Sequence, residues 1–134
     1  MKKLLTIFTV LFLISFAAFS QSMTFRTYQI VIEYDDEIES IDNNSVIIFL
    51  DISSDKRSLH ITSGLSYYIV DDGKLVREGI DEDGDEYEIM RFRAIDSERD
   101  KCYLAIKRWP SLKYMHFYIQ YTNIEISYLT TRID

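Results

Sequence analysis

The stretch YEIMRFRAIDSERDKCYLAIKRWPSLKYMHFYIQYTNIEISYLT, residues 87–130, decides the fold. Apolar residues recur in it at every second position, the period of a strand with one buried face. Three bends order the strands. With Pro110-Ser111 as a two-residue turn, Trp109 faces Leu112, Ile106 faces Met115, Leu104 faces Phe117 and Cys102 faces Ile119. With Thr122-Asn123 as a turn, Tyr121 faces Ile124, Ile119 faces Ile126 and Phe117 faces Tyr128. With 96–100 as a five-residue loop, Ala94 faces Cys102, Phe92 faces Leu104 and Met90 faces Ile106. The three placements gather the apolar side chains on one sheet face. A slip of one residue at any bend would scatter them, so a four-stranded antiparallel meander over 87–130 is expected.

The chain upstream of this meander reads in the same way. Phe25 to Tyr34 alternates, with Tyr28, Ile30, Ile32 and Tyr34 on one side, and 35–44 reads as a polar loop. Val46 to Ile52 is apolar on both faces at its centre, as a covered strand would be. A turn is expected at Ser53-Ser54-Asp55-Lys56. Leu59 to Val70 reads as one strand with a bulge at Gly64. Asp71-Asp72-Gly73-Lys74 reads as a tight turn. Leu75 to Ile80 is a short strand, and 81–85 is an acidic turn around Gly84. The sum is an all-β protein of about eight antiparallel strands. Short local connections favour an up-and-down meander closed into a small, lipocalin-like barrel over a two-sheet sandwich.

Residues 1–20 read as a secretory signal peptide. Lys2 and Lys3 precede an uncharged run from Leu4 to Phe19, and Ala18 and Ser20 sit at the −3 and −1 positions of a cut before Gln21. The run is shorter than the roughly 20 residues that span a bilayer, so no transmembrane anchor is expected after removal. Residues 21–134 then form a single β-domain, secreted or periplasmic. Loss of both lysines takes the formal charge from −7 to −9. An acidic domain of this kind repels nucleic acid. A single cysteine, Cys102, excludes a disulfide framework and a cysteine-based zinc site.

The same registers define the opposite sheet face. It carries Arg91, Arg93, Tyr103, Lys107, Tyr114, His116 and Tyr118. In them Arg93 faces Tyr103, Arg91 and His116 flank Ala105, and Tyr103 faces Tyr118. Arginine and tyrosine are typical of binding hot spots, and arginine offers a fork to carboxylate or phosphate. The face therefore reads as a candidate surface for a small anionic or sugar-like ligand, or for a protein partner. The competing reading is a plain solvent-facing sheet, where such cross-strand pairs stabilise with no ligand.

Catalytic chemistry finds no home in the pattern. Cys102 points to the core, His60 points to solvent, and His116 lies on the far side of the sheet from Cys102. No nucleophile elbow, phosphate-cradling loop or zinc-protease helix occurs. The acidic run Asp81-Glu82-Asp83-Gly84-Asp85-Glu86 fails the helix–loop–helix calcium pattern, with Glu86 and Phe92 where glycine and glutamate are required. No catalytic residue, metal ligand or cofactor is assigned.

The carboxyl half carries an acidic turn at 81–85, then Phe92-Arg93-Ala94-Ile95-Asp96, Cys102-Tyr103-Leu104-Ala105-Ile106, Tyr118-Ile119-Gln120-Tyr121-Thr122-Asn123 and Tyr128. With these features, residues 45–130 resemble the uncharacterised small secreted β-proteins of Bacteroides-like bacteria. The resemblance implies a periplasmic or extracellular β-protein and assigns no activity. The leading expectation is a non-enzymatic binding module for a small ligand or an envelope protein. The alternatives are an assembly accessory of an envelope complex, with Phe25–Tyr34 or Leu75–Ile80 as an exposed sheet edge, and a hydrolase whose site has no recognisable motif.

Overall fold

The computed structural model describes residues 22–53, 56–62 and 64–133, so the signal peptide expected over 1–20 and the centre of the turn expected at 53–56 lie outside the described residues. Ten strands are found among the described residues. They are β1 (Ser22–Tyr34), β2 (Glu37–Asp42), β3 (Ile47–Ser53), β4 (Lys56–Ile61), β5 (Ser66–Ile69), β6 (Lys74–Ile80), β7 (Glu86–Asp96), β8 (Lys101–Arg108), β9 (Tyr114–Gln120) and β10 (Ile124–Arg132). All pairings are antiparallel. Eight strands close a small barrel in the order β1-β3-β4-β5-β7-β8-β9-β10, and β10 pairs back onto β1.

The two remaining strands exist because β1 and β7 are long. The first half of β1 pairs with β3, and its second half, from Gln29 to Tyr34, pairs with β2. The first half of β7 pairs with β6, and its end pairs with β5. The polar stretch 35–44 is therefore not a loop. Asp35 and Asp36 adopt positive φ (46° and 59°) and turn the chain within two residues, so that Tyr34 pairs with Glu37. Aspartate tolerates that conformation because its short side chain satisfies nearby backbone. A polar strand paired on one side only leaves no hydrophobic alternation to read.

Two further expectations are corrected. Leu59–Val70 is not one bulged strand, for β4 and β5 form a hairpin in which His60 pairs with Ser66. Asp71-Asp72-Gly73 does not reverse the chain. β5 and β6 follow one another along the same side of β7, and the segment between them is a sideways offset. Asp71 holds it there, since its Oδ1 accepts the N–H groups of Gly73 and Arg93. The expected free edge at Phe25–Tyr34 is also absent, because β1 is paired on both sides.

Within the meander two of the three registers stand as read. Met90, Phe92 and Ala94 face Ile106, Leu104 and Cys102, and Ile119 and Phe117 face Ile126 and Tyr128. The β8–β9 register differs by two residues: Ile106 pairs with Phe117, and Leu104 with Ile119. A slide of two preserves every side chain's face, so the apolar set stays inside. The expected turn at Pro110-Ser111 is kept, with the Leu112 N–H bonded to the Trp109 carbonyl at 3.1 Å, and the ladder resumes beyond it at Arg108 and Met115. Trp109 leaves the strand. It lies on the outer face with Lys107, where its Nε1 donates to Asp81 Oδ2 at 3.0 Å and its ring stands 4.7 Å from that of His116. The interior is filled by side chains, with Phe25, Phe92, Phe117, Ile48, Leu50 and Leu59 each at most 1 % exposed. Cys102 is buried among them, and burial pushes its thiol up to about 11.

Candidate functional site

The seven residues of the predicted surface all lie on the outer face of the barrel wall, alternating with the buried side chains of β7, β8 and β9. The structure divides them into three groups. Arg91, Arg93 and Tyr103 lie together. Arg93 pairs across the ladder with Tyr103, and Arg91 with Ala105. The Arg91 guanidinium carbon sits 3.7 Å from the centre of the Tyr103 ring, and its Nε donates to Gln120 Oε1 at 3.1 Å. Arg93 Nε donates to Asp71 Oδ2 at 3.2 Å while most of its side chain stays in solvent. These groups border a depression of about 500 Å³ shared with Lys101, Gln120 and Thr122. Arg91, Arg93 and Lys101 thus line one depression, and Asp71 is bonded to Arg93.

Tyr118 stands one strand further on. The shifted β8–β9 register places Tyr118, not His116, opposite Ala105, and Gln120, not Tyr118, opposite Tyr103. Tyr118 borders a second depression of about 520 Å³, together with Val76, Arg77, Ile89, Arg91 and Glu125. Burial, with the charges of Glu125 and Tyr28 adding, holds its hydroxyl up at about 12. Arg91 and Gln120 form the wall common to both depressions.

Lys107 and His116 belong to an aromatic cluster instead. The Lys107 ammonium lies 4.3 Å from the centre of the Tyr87 ring and 4.7 Å from that of Trp109. Burial lowers its affinity for a proton, and Asp81 partly offsets this. His116 has the Tyr28 and Tyr118 hydroxyls 3.3 Å from its two ring nitrogens. Burial, with nearby Lys107, pulls its pKa down to about 4, so it carries no charge at neutral pH. Tyr114 joins the same cluster through Tyr28, whose ring stands edge-on to it.

The sequence reading missed Lys101, Gln120, Asp71 and Arg77. Lys101 and Gln120 share the outward parity of Tyr103 and Tyr118, and that signal was available. Asp71 and Arg77 reach the site only because β5 and β6 run end to end along β7.

Other chemistry-bearing groups are committed elsewhere. Asp81, Asp83 and Asp85 bring carboxylate oxygens within 4.8 Å of one another. Asp81 Oδ1 already accepts the N–H groups of Asp83 and Asp85, however, and Oδ2 accepts Trp109. Glu78 and Glu88 are cross-strand partners on the inner face, where Glu88 is fully buried 3.7 Å from Arg108. His60 is exposed and bonded to Ser66. No family model, curated protein or solved structure matches the chain.

Proposed function

We propose that this chain is a secreted or periplasmic, non-enzymatic binding module that takes a small anionic ligand, such as an acidic sugar or an organic phosphate, on the outer wall of its barrel. One observation carries this reading. The Arg91 guanidinium is held between the Tyr103 ring and the Gln120 amide, above a depression that Arg93 and Lys101 also border. A guanidinium already ordered by its neighbours loses less entropy when it grips an oxyanion. The bond to Gln120 uses Nε and leaves the terminal amino groups for a ligand. The reading also accounts for a cationic patch on an acidic protein, where long-range charge alone would repel an anion.

Calorimetric titration with glucuronate, inorganic phosphate and neutral glucose tests it. The two anions should bind and glucose should not. Arg91→Ala with Arg93→Ala should weaken anion binding by about tenfold or more, since hydrogen bonds to charged groups contribute roughly 1.5–3 kcal/mol each. Both side chains are solvent-facing, so the urea midpoint should stay nearly unchanged. Equal affinity in the double variant, or no heat with either anion, would reject the site.

A further inference from the structure

The barrel wall closes on itself, yet two strands are left with a bare side. Among the described residues β2 is hydrogen-bonded only to β1, and β6 only to β7. Each presents a row of backbone N–H and C=O groups, which is a template for another strand. The ladders place these edges at opposite ends of the barrel. β2 begins beside the 122–123 turn, where Tyr34 pairs with both Glu37 and Ile124. β6 ends beside the 109–113 loop, where Glu78 pairs with Glu88 and Glu88 with Arg108.

The two edges differ in charge and share exposed apolar side chains. β2 bears Glu37, Glu39 and Asp42 with no lysine or arginine, and Asp35 and Asp36 stand at its turn. All six β2 residues are exposed, including Ile38 at 69 %. The exposed part of β6 bears Lys74 and Arg77 beside Leu75 and Val76, while its one acid, Glu78, is half-buried. Natural edges are commonly blunted by bulges, prolines or charged side chains. β6 has a bulge between Leu75 and Arg77 as well as its cations, whereas β2 has neither bulge nor proline and is guarded by its carboxylates alone, a guard that an edge of opposite charge removes.

We propose that copies of this chain associate head to tail, with the outer edge of β2 on one copy pairing with the outer edge of β6 on the next. The inference is independent of the ligand-binding reading. The partner choice follows from charge. Two β2 edges would set five acids against five, two β6 edges would set lysine and arginine against their like, and only the mixed pair brings opposite signs together. A contact between two different patches does not close after two copies, so it generates rings or open filaments rather than a dimer.

Sedimentation velocity on the exported, purified protein tests the proposal. At low salt, species larger than a dimer should grow with concentration, and raising the salt should weaken the association about tenfold or more. Glu37→Lys with Glu39→Lys should abolish growth, and so should Lys74→Glu with Arg77→Glu. Mixing the two variants, or combining all four changes in one chain, should restore it. All four positions are exposed, and circular dichroism checks that each variant folds. As a second measurement on the parent fold, Ile38→Cys with Val76→Cys treated with a bismaleimide should give a ladder of multimers. A monomer at every concentration, a dimer that never grows, growth unmoved by either reversal, a mixture that stays dissociated, or capture of a foreign strand by a chain that remains monomeric would overturn the proposal.

Discussion

At Gly73 a single hydrogen decides whether the chain can pass from β5 to β6. The residue has φ of +78°, and a Cβ built there would stand 2.9 Å from Cζ of the buried Phe92 ring and closer to its Cε1 and Cδ1. Gly73→Ala therefore combines backbone strain with overpacking and should cost about 2–4 kcal/mol in urea unfolding. Gly84, at φ +84° with nothing near its missing Cβ, carries the strain alone, and Gly84→Ala should cost only about 1 kcal/mol. Equal losses at the two positions would refute the role given to Phe92. His116 makes a prediction of the same scale in pH. Its folded pKa is pulled from 6.5 to about 4, chiefly by burial, so the unfolded chain takes up a proton at a pH where the native one does not. Its contribution is therefore complete above pH 6.5 and lost as pH falls towards 4, by roughly 2–3 kcal/mol. His116→Gln should flatten unfolding free energy over that window. Asp81 and Asp96 have carboxyls held below their ordinary value, the first chiefly by the Asp85 N–H. In Asp96 the hydrogen bonds led by Tyr121 outweigh burial, which alone would raise it. Both act at lower pH, where their stabilisation is lost as acid protonates them, and so do not mask the histidine.

Among the elements, two loops repeat one device. In 81–85 and in 96–100 the first aspartate's Oδ1 accepts the N–H groups two and four residues on, and its own N–H bonds to the carbonyl of the fifth residue. Its Oδ2 accepts an aromatic donor from a neighbouring strand, Trp109 Nε1 in one loop and the Tyr121 hydroxyl in the other. The fourth residue takes positive φ in both loops, Gly84 at 84° and Arg99 at 73°. Arginine is strained there and glycine is not, so Arg99→Gly should raise stability by up to about 1 kcal/mol, a gain trimmed by glycine's freer unfolded chain. A lower melting temperature would show that the exposed Arg99 side chain contributes more than its backbone costs. These loops explain how far the elements were legible from sequence. Both meander bends with strong local chemistry, 96–100 and 122–123, stand where alternation placed them. The turn at 110–111 also stands, with the Leu112 N–H bonded to the Trp109 carbonyl, but the ladder beyond it is shifted by two residues, and Trp109 turns its indole to Asp81, 28 residues away, where alternation gives no sign of it. β2 escaped notice because a strand exposed on both faces leaves no period in its sequence. The Arg91–Tyr103 core of the site was legible through parity, whereas Asp71 and Arg77 depended on a jog that resembles an ordinary turn.

For the molecule as a whole, closure of the barrel consumes its interior. Phe25 and Phe117 meet edge to face at 5.1 Å near the seam between β1, β10 and β9, and both are at most 1 % exposed. Above and below them Phe92, Leu104, Ile106 and Ile119 occupy the space in which a wider barrel would hold a ligand. The polar residues that alternate with this core are thereby left on the outer wall, where the proposed ligand site lies. A filled core also means that a ligand space can be made by subtraction. Phe117→Ala removes a ring at the centre of the packing, and the surrounding β-sheet is too rigidly cross-linked to collapse fully. It should lose about 3–5 kcal/mol in urea unfolding and gain a dry apolar cavity. Benzene or xenon should then raise the melting temperature of the variant and leave that of the parent protein unchanged, because only a state that binds is stabilised by mass action. Stabilisation of the parent protein by either probe would show room inside the barrel and return the search for a natural ligand to its interior. A loss below about 1 kcal/mol would show that Phe117 is replaceable and that closure does not depend on this packing.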